Sequence, residues 1–188
     1  MPDDTVLCWS PRITVATLKA LIVQGDKDAI ADFIAGRFHE RYFDPIDSLP
    51  RTQKNGFSIM ALCCLTIEAL RCFHEGRATS ERKSREIFER FFQQTDQFAS
   101  FLPLWLEFYK DVRCGILHQS ETTHGWRIRR SGPLLEVSTL TINATAFHVT
   151  LRKVLEEYTR KLKQADFSEK LWIDCKVKLN SIIANCEP

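Results

Sequence analysis

The chain has 188 residues, a formal net charge of +2, 44% apolar residues, 13 Phe, and only 7 Gly and 7 Pro. That is enough apolar material for a packed core, which excludes a disordered chain, and the scarcity of Gly and Pro favours helix over a turn-rich β fold. The near-neutral balance excludes binding of nucleic acid by bulk charge, so any anion site must come from local clustering.

From the N-terminus, "MPDDTVLCWS" is acidic and has no signal-type apolar core. The periodicity predicts two short helices, 13–23 and 26–43, around Gly25, with Asp26 as an N-cap. "DPIDSLPRTQKNG", 44–56, holds two prolines and an Asn-Gly pair and reads as a loop. Residues 57–75, "FSIMALCCLTIEALRCFHE", predict a helix apolar on nearly every side, suited to the centre of a bundle and closed by Gly76. Ser80 or Thr79 caps a charged helix over roughly 81–94, with Ile87, Phe88, Phe91 and Phe92 inside. A further helix runs from about 102 to about 118, with Pro103 in its first turn.

Residues 121–142 change period. Trp126 and Ile128 alternate with Arg127 and Arg129, Ser131-Gly132-Pro133 turns, and Leu135, Val137 and Thr139 alternate again, which predicts a β-hairpin. Asn143 caps an amphipathic helix with a stripe of Phe147, Leu151, Leu155, Tyr158 and Leu162. A last helix, about 168–185, begins at Ser168. The expected architecture is a single all-α domain over 1–188. It comprises N-terminal helices and a loop (1–55), central helices (57–120), the inserted hairpin (121–142) before the penultimate helix, and C-terminal helices (143–188).

No run of eighteen apolar residues is free of charge, so no membrane partner is expected. The seven cysteines form no CxxC pair, and several lie in apolar helical sequence, where a free thiol acts as a small hydrophobe. A reduced, cytoplasmic location is expected. Cys63, Cys64, Cys72 and His74 match no zinc spacing, and no metal or cofactor is expected.

"DVRCGILHQSET", 111–122, puts a cation beside an apolar run. On an ideal helix Arg113 flanks the core stripe of Phe101, Trp105, Phe108, Val112 and Ile116, so its guanidinium needs a partner or must reach solvent. His118 lies about 140° away from it on that helix, so the two meet only if the helix changes its winding or ends, or if a second copy supplies the other half. Glu68 is the only charged residue in 57–70. It either neutralises Arg113 or lies on a narrow polar strip with Ser58 and Ala61. Asp111 shares the His118 face but lies about 10 Å from it along the axis.

Arg113-x4-His118, near the end of the later long helix of a helical bundle, resembles the R-x4–6-H motif of the HEPN superfamily. "FYKDVRCGILHQSETTHGWRI" is similar to a branch of small bacterial HEPN-like proteins linked to toxin–antitoxin and other defence systems. The likeness covers roughly 57–165. The residue after the arginine is Cys114, where catalytic members usually carry a polar residue, often Asn, Asp or His. The resemblance implies a HEPN-like helical bundle and a metal-independent endoribonuclease, formed as a homodimer whose two motifs face each other across one cleft. Its substrate is then RNA, with an antitoxin or a nucleotidyltransferase-type protein as a possible partner. In that reading Arg113 and His118 are catalytic: the imidazole moves protons and the guanidinium holds the phosphate.

Around the pair, Glu68, Cys114, Asp111, Gln119 and Glu121 are candidate supporting residues, and His124 is either an assistant or a loop residue. Arg127, Arg129 and Arg130 are candidates to grip an RNA backbone, or form a solvated face. The alternatives are a non-catalytic HEPN-like module that binds RNA, nucleotide or a partner protein, and a structural bundle in which the motif is accidental.

Overall fold

In a computed structural model the described residues are 2–50 and 52–186, so Arg51 of the expected loop and the two chain ends lie outside them. The fold is mostly helical, with a few short strands. In chain order the elements are β1 (Val6–Trp9), β2 (Arg12–Thr14), α1 (Val15–Gln24), α2 (Lys27–Phe38), α3 (Asp44–Asp47), α4 (Gly56–His74), α5 (Ser84–Gln94), α6 (Trp105–Glu107), α7 (Gly115–Gln119), β3 (Arg127–Arg129), β4 (Leu135–Glu136), β5 (Thr141–Asn143), α8 (Ala144–Gln164) and α9 (Lys170–Ala184). Single-turn π-helices cover His39–Phe43 and Phe108–Cys114, and a 3₁₀ segment covers Asp96–Leu104.

The chain divides into two compact units. The first takes the described residues of 1–45, 69–79 and 155–188, and the second takes 46–68 and 80–154. In the first unit, β1 and β2 pair antiparallel, with a bulge between Val6 and Cys8. Asp26 caps α2 as expected, its carboxylate accepting from the Ala29 N–H at 3.0 Å. Gly36 is needed for close approach: a Cβ there would lie 2.6 Å from the Ser10 carbonyl oxygen. α4 ends at Gly76, whose φ is 60°, and the Arg77 N–H closes the turn on the Cys72 carbonyl at 2.9 Å. Trp172 of α9 is fully buried and its indole N–H donates to the Leu162 carbonyl at 2.9 Å.

The second unit is built on phenylalanine. Phe92, Phe98, Phe101, Phe108 and Phe147 are all buried and meet in edge-on, tilted and stacked pairs with centroids 4.7 to 6.2 Å apart. Asn143 caps α8 as expected, accepting from the Ala146 N–H at 3.1 Å. Among the described residues, α4 alone is long and apolar enough to cross a membrane, and 61% of its most apolar window is buried inside the protein, as in a core helix.

Several expectations are corrected. The strands around 127 and 135 do not form a hairpin with each other: both pair with β5, in the order β3-β5-β4, β3 parallel and β4 antiparallel to it. A 3₁₀ turn at Val137–Thr139 and a left-handed Leu140 reverse the chain, and this delivers fully buried Thr141–Asn143 into the middle of the sheet. The β1–β2 pair was not expected. The loop of 44–56 opens with α3 instead. The helix expected at 81–94 begins at Ser84, and Ser80 does not cap it. The helix expected over 102–118 is split into 3₁₀, α, π and α segments, with Pro103 in the 3₁₀ part. Ser168 does not start the last helix, whose N-cap is Glu169.

Candidate active site

All of the contacts described here lie within the second unit unless stated. Two residues from different elements make the centre: Glu68 near the end of the apolar part of α4, and Arg113 in the π-helical turn. The Arg113 Nε and Nη2 both donate to Glu68 Oε1, at 2.9 and 2.7 Å. Both side chains are nearly buried, at 13% and 9% exposure. Of the two readings of Glu68 the structure therefore holds the ion pair. Its other oxygen, Oε2, accepts from the hydroxyls of Ser80 and Ser84 at 3.0 and 3.2 Å. The carboxylate thus has partners on both oxygens, which is what a buried charge requires.

The same arrangement orients the guanidinium. Burial works against its charge, but Glu68 outweighs that, so the Arg113 pKa lies above its usual value. The Tyr109 ring lies 5.8 Å from its centre as a cation–π partner. The edge not taken by Glu68 faces His118: Nη1 is 3.4 Å from His118 Nε2 and 3.9 Å from Cys114 Sγ. His118 is exposed, at the end of α7. Arg113 and His118 thus meet within one chain, whereas an ideal helix would hold them far apart. The reason is the winding. A π turn bonds i to i+5 and is wider than an α turn, so a straight wheel does not describe 108–119.

Gly115 matters next. A Cβ at this position would lie 2.4 Å from the Glu121 carbonyl oxygen. The chain doubles back after a left-handed Ser120 and runs against the helix, with the Glu121 N–H on the Gly115 carbonyl at 3.3 Å and the Thr123 N–H on the Asp111 carbonyl at 3.0 Å. The return segment brings an unexpected partner to Asp111. Its Oδ1 accepts from Thr123 Oγ1 at 2.8 Å and lies 2.7 Å from His124 Nδ1. Asp111 therefore orients His124 rather than His118. Gln119 and Glu121 are exposed beside the helix end.

The three arginines separate. Arg127 and Arg129 are exposed on β3. Arg130 is committed to structure: it donates to the Pro50 carbonyl at 3.0 Å, Asn55 Oδ1 at 3.2 Å and Thr145 Oγ1 at 3.2 Å. These bonds tie down the loop before α4. Arg129 lines a cleft of about 510 Å³ together with Lys54, Phe57 and Ile128.

Sequence reasoning missed Ser80 and Ser84 as partners of Glu68. Their four-residue spacing in "SERKS" was a usable signal, because it places two hydroxyls on one side of one turn. It also missed a second charged cluster. Asp47 lies 2.9 Å from His148 Nε2 and forms an ion pair with Arg152, and these partners pull its carboxyl below the usual range although burial opposes them. The His148/Arg152 spacing of four was the available signal there.

Cys63, Cys64 and Cys72 are buried core residues. His74, in the first unit, packs at a tilt against Tyr158 with centroids 4.2 Å apart, and burial pushes its pKa down to about 3. Among the described residues no cluster of three or more His, Cys, Asp or Glu could hold a metal ion. No protein-family model, curated protein or solved structure matches the chain.

Proposed function

We propose that the chain is a HEPN-like, metal-independent endoribonuclease that acts as a homodimer in a toxin or defence setting. The observation that carries this reading is the Glu68–Arg113–His118 array. A buried carboxylate fixes one edge of a guanidinium, and the other edge points at an exposed imidazole 3.4 Å away. This puts a carboxylate-held cation in direct contact with an exposed imidazole, so that a phosphate oxygen arriving at the pair would meet a charged donor and a general acid–base side chain together.

RNA brings its own nucleophile. The 2′-hydroxyl attacks the adjacent phosphorus as an imidazole removes its proton, a new P–O bond closes a five-membered ring, and the P–O5′ bond breaks as the leaving oxygen takes a proton. Arg113 Nη1, the nitrogen that Glu68 leaves to the outer edge, stabilises the extra negative charge on the phosphorane. The products are a 2′,3′-cyclic phosphate and a 5′-OH. One imidazole can take the first proton, and the second donor is most simply the His118 of another copy, which is the chemical argument for a dimer. Arg127 and Arg129 serve the RNA backbone in this reading.

The test is end-labelled single-stranded RNA incubated with pure protein in EDTA, with the ends of the fragments identified. Cleavage to those ends is expected, and His118→Ala should slow it by roughly 10²–10⁴-fold. Arg113→Lys should also be damaging, because an ammonium cannot bond Glu68 and present a second edge. Wild type that binds RNA in a salt-dependent way but never cuts it would instead favour the non-catalytic binding module, the reading that Cys114 beside the arginine supports.

A further inference from the structure

A second set of cations lies in the first unit, in residues that the nuclease reading does not use. Arg37, Arg41 and Lys178 line one cavity of about 220 Å³, with Asn185 at its edge and Phe38, Tyr42 and Phe73 in its wall. Phe38 is buried and its ring lies 5.9 Å from those of both Tyr42 and Phe73, so the wall is a continuous aromatic surface.

Two of the three cations are oriented by carbonyls rather than by carboxylates. Arg37 Nη1 donates to the Leu7 carbonyl at 2.9 Å, and Lys178 Nζ donates to the Ala78 carbonyl at 2.5 Å. A carbonyl fixes direction but does not cancel charge. Among the described residues no carboxylate forms an ion pair with Arg37, Arg41 or Lys178. The cations also feel one another. Burial first, and then Arg41, lower the Arg37 pKa to about 10, and burial and then Arg37 lower that of Lys178. Among the described residues Glu40 acts on Arg41 only through space and not as an ion pair, so the cations around the cavity still repel one another, and a bound anion would relieve that repulsion.

We propose that this cavity binds a small phosphate monoester, its phosphate on Arg37, Arg41 and Lys178 and its planar or apolar organic part against Phe38, Tyr42 and Phe73. Two guanidiniums and an ammonium suit a dianionic, multi-oxygen group better than a single carboxylate. The volume admits a phosphate with one ring and is too small for an oligonucleotide. The site is independent of the nuclease reading and survives if that reading fails.

The test follows the thermal unfolding of the full chain titrated with phenyl phosphate, inorganic phosphate, or potassium chloride at matched ionic strength. Phenyl phosphate should raise the midpoint saturably, at concentrations roughly tenfold lower than inorganic phosphate. Arg41→Ala, at an exposed position that the fold tolerates, should weaken the response about tenfold or more, and Lys178→Met should do the same. In the absence of anion Lys178→Met should unfold no earlier than wild type, because it removes one of the repelling charges. Stabilisation by phenyl phosphate no larger than that by chloride would overturn the proposal. So would an undiminished response in both variants, which would put the binding elsewhere. Equal affinity for inorganic and phenyl phosphate would overturn the ester assignment.

Discussion

Glu68 shows how one residue can set a site. It was legible in the sequence because a lone charge in 57–70 has to be accounted for, either by a partner or by solvent. Which partner was less legible, since Arg113 lies 45 residues away. The hydroxyls of Ser80 and Ser84 are easily misassigned despite their spacing: a serine before a helix is ordinarily read as a cap, and here Ser80 instead completes the shell of a buried carboxylate. Removing only one member of such a pair leaves an uncompensated charge. Glu68→Ala should therefore lower the unfolding free energy by about 3 kcal/mol in urea denaturation. The double change Glu68→Leu with Arg113→Met should recover most of that loss, since an apolar pair of similar volume needs no counter-charge. If the single change costs nothing, the pair is not the constraint described here.

At the level of elements, the long helices were legible and the joints between them were not. The α8 stripe carries its period over five turns and α4 is apolar on nearly every side over as many, so the burial of each follows from its pattern. The β1–β2 pair has only three or four residues per strand, a bulge, and adjacent buried residues Leu7 and Cys8, so it shows no alternation to read. The β5 strand is buried at all three positions, and its Asn143 also caps α8, so the central strand of that sheet carries no period-two signal. The motif helix failed differently. Its composition is helical throughout, but the π turn over Phe108–Cys114 comes from packing, and with it the angle between Arg113 and His118. Gly115 was the one local clue, a glycine inside an apolar helix. Gly115→Ala should force the Ser120–Thr123 return segment away, because a methyl cannot share 2.4 Å with the Glu121 carbonyl. Hydrogen exchange should then rise at the Glu121 and Thr123 amides, and stability should fall by about 1–3 kcal/mol, the range for overpacking. Unchanged protection of those amides would show that the helix and the return segment are not coupled through this contact.

For the molecule as a whole, the proposed mechanism turns on the number of copies. The sequence argument for two copies began from the divergence of Arg113 and His118 on a straight helix, and the π turn removes that part of it by bringing them within 3.4 Å in one chain. Two other arguments remain. His118 is exposed in the single chain, so nothing in that chain excludes water from it. The proposed cleavage would also need a proton taken from one oxygen and another given to a second, and each chain's array holds one imidazole. A dimer with facing motifs would supply both groups and close the cleft. Light scattering should therefore show a dimer at micromolar concentration. A mixing experiment tests whether the dimer matters to catalysis. An Arg113→Ala, His118→Ala double variant added in excess to a fixed amount of wild type should draw it into mixed dimers with half a site, so the rate should fall well below that of wild type alone. If the rate instead stays at the wild-type value at every ratio, with subunit exchange demonstrated, each chain completes its own site, and the second proton must come from water or from within the same chain.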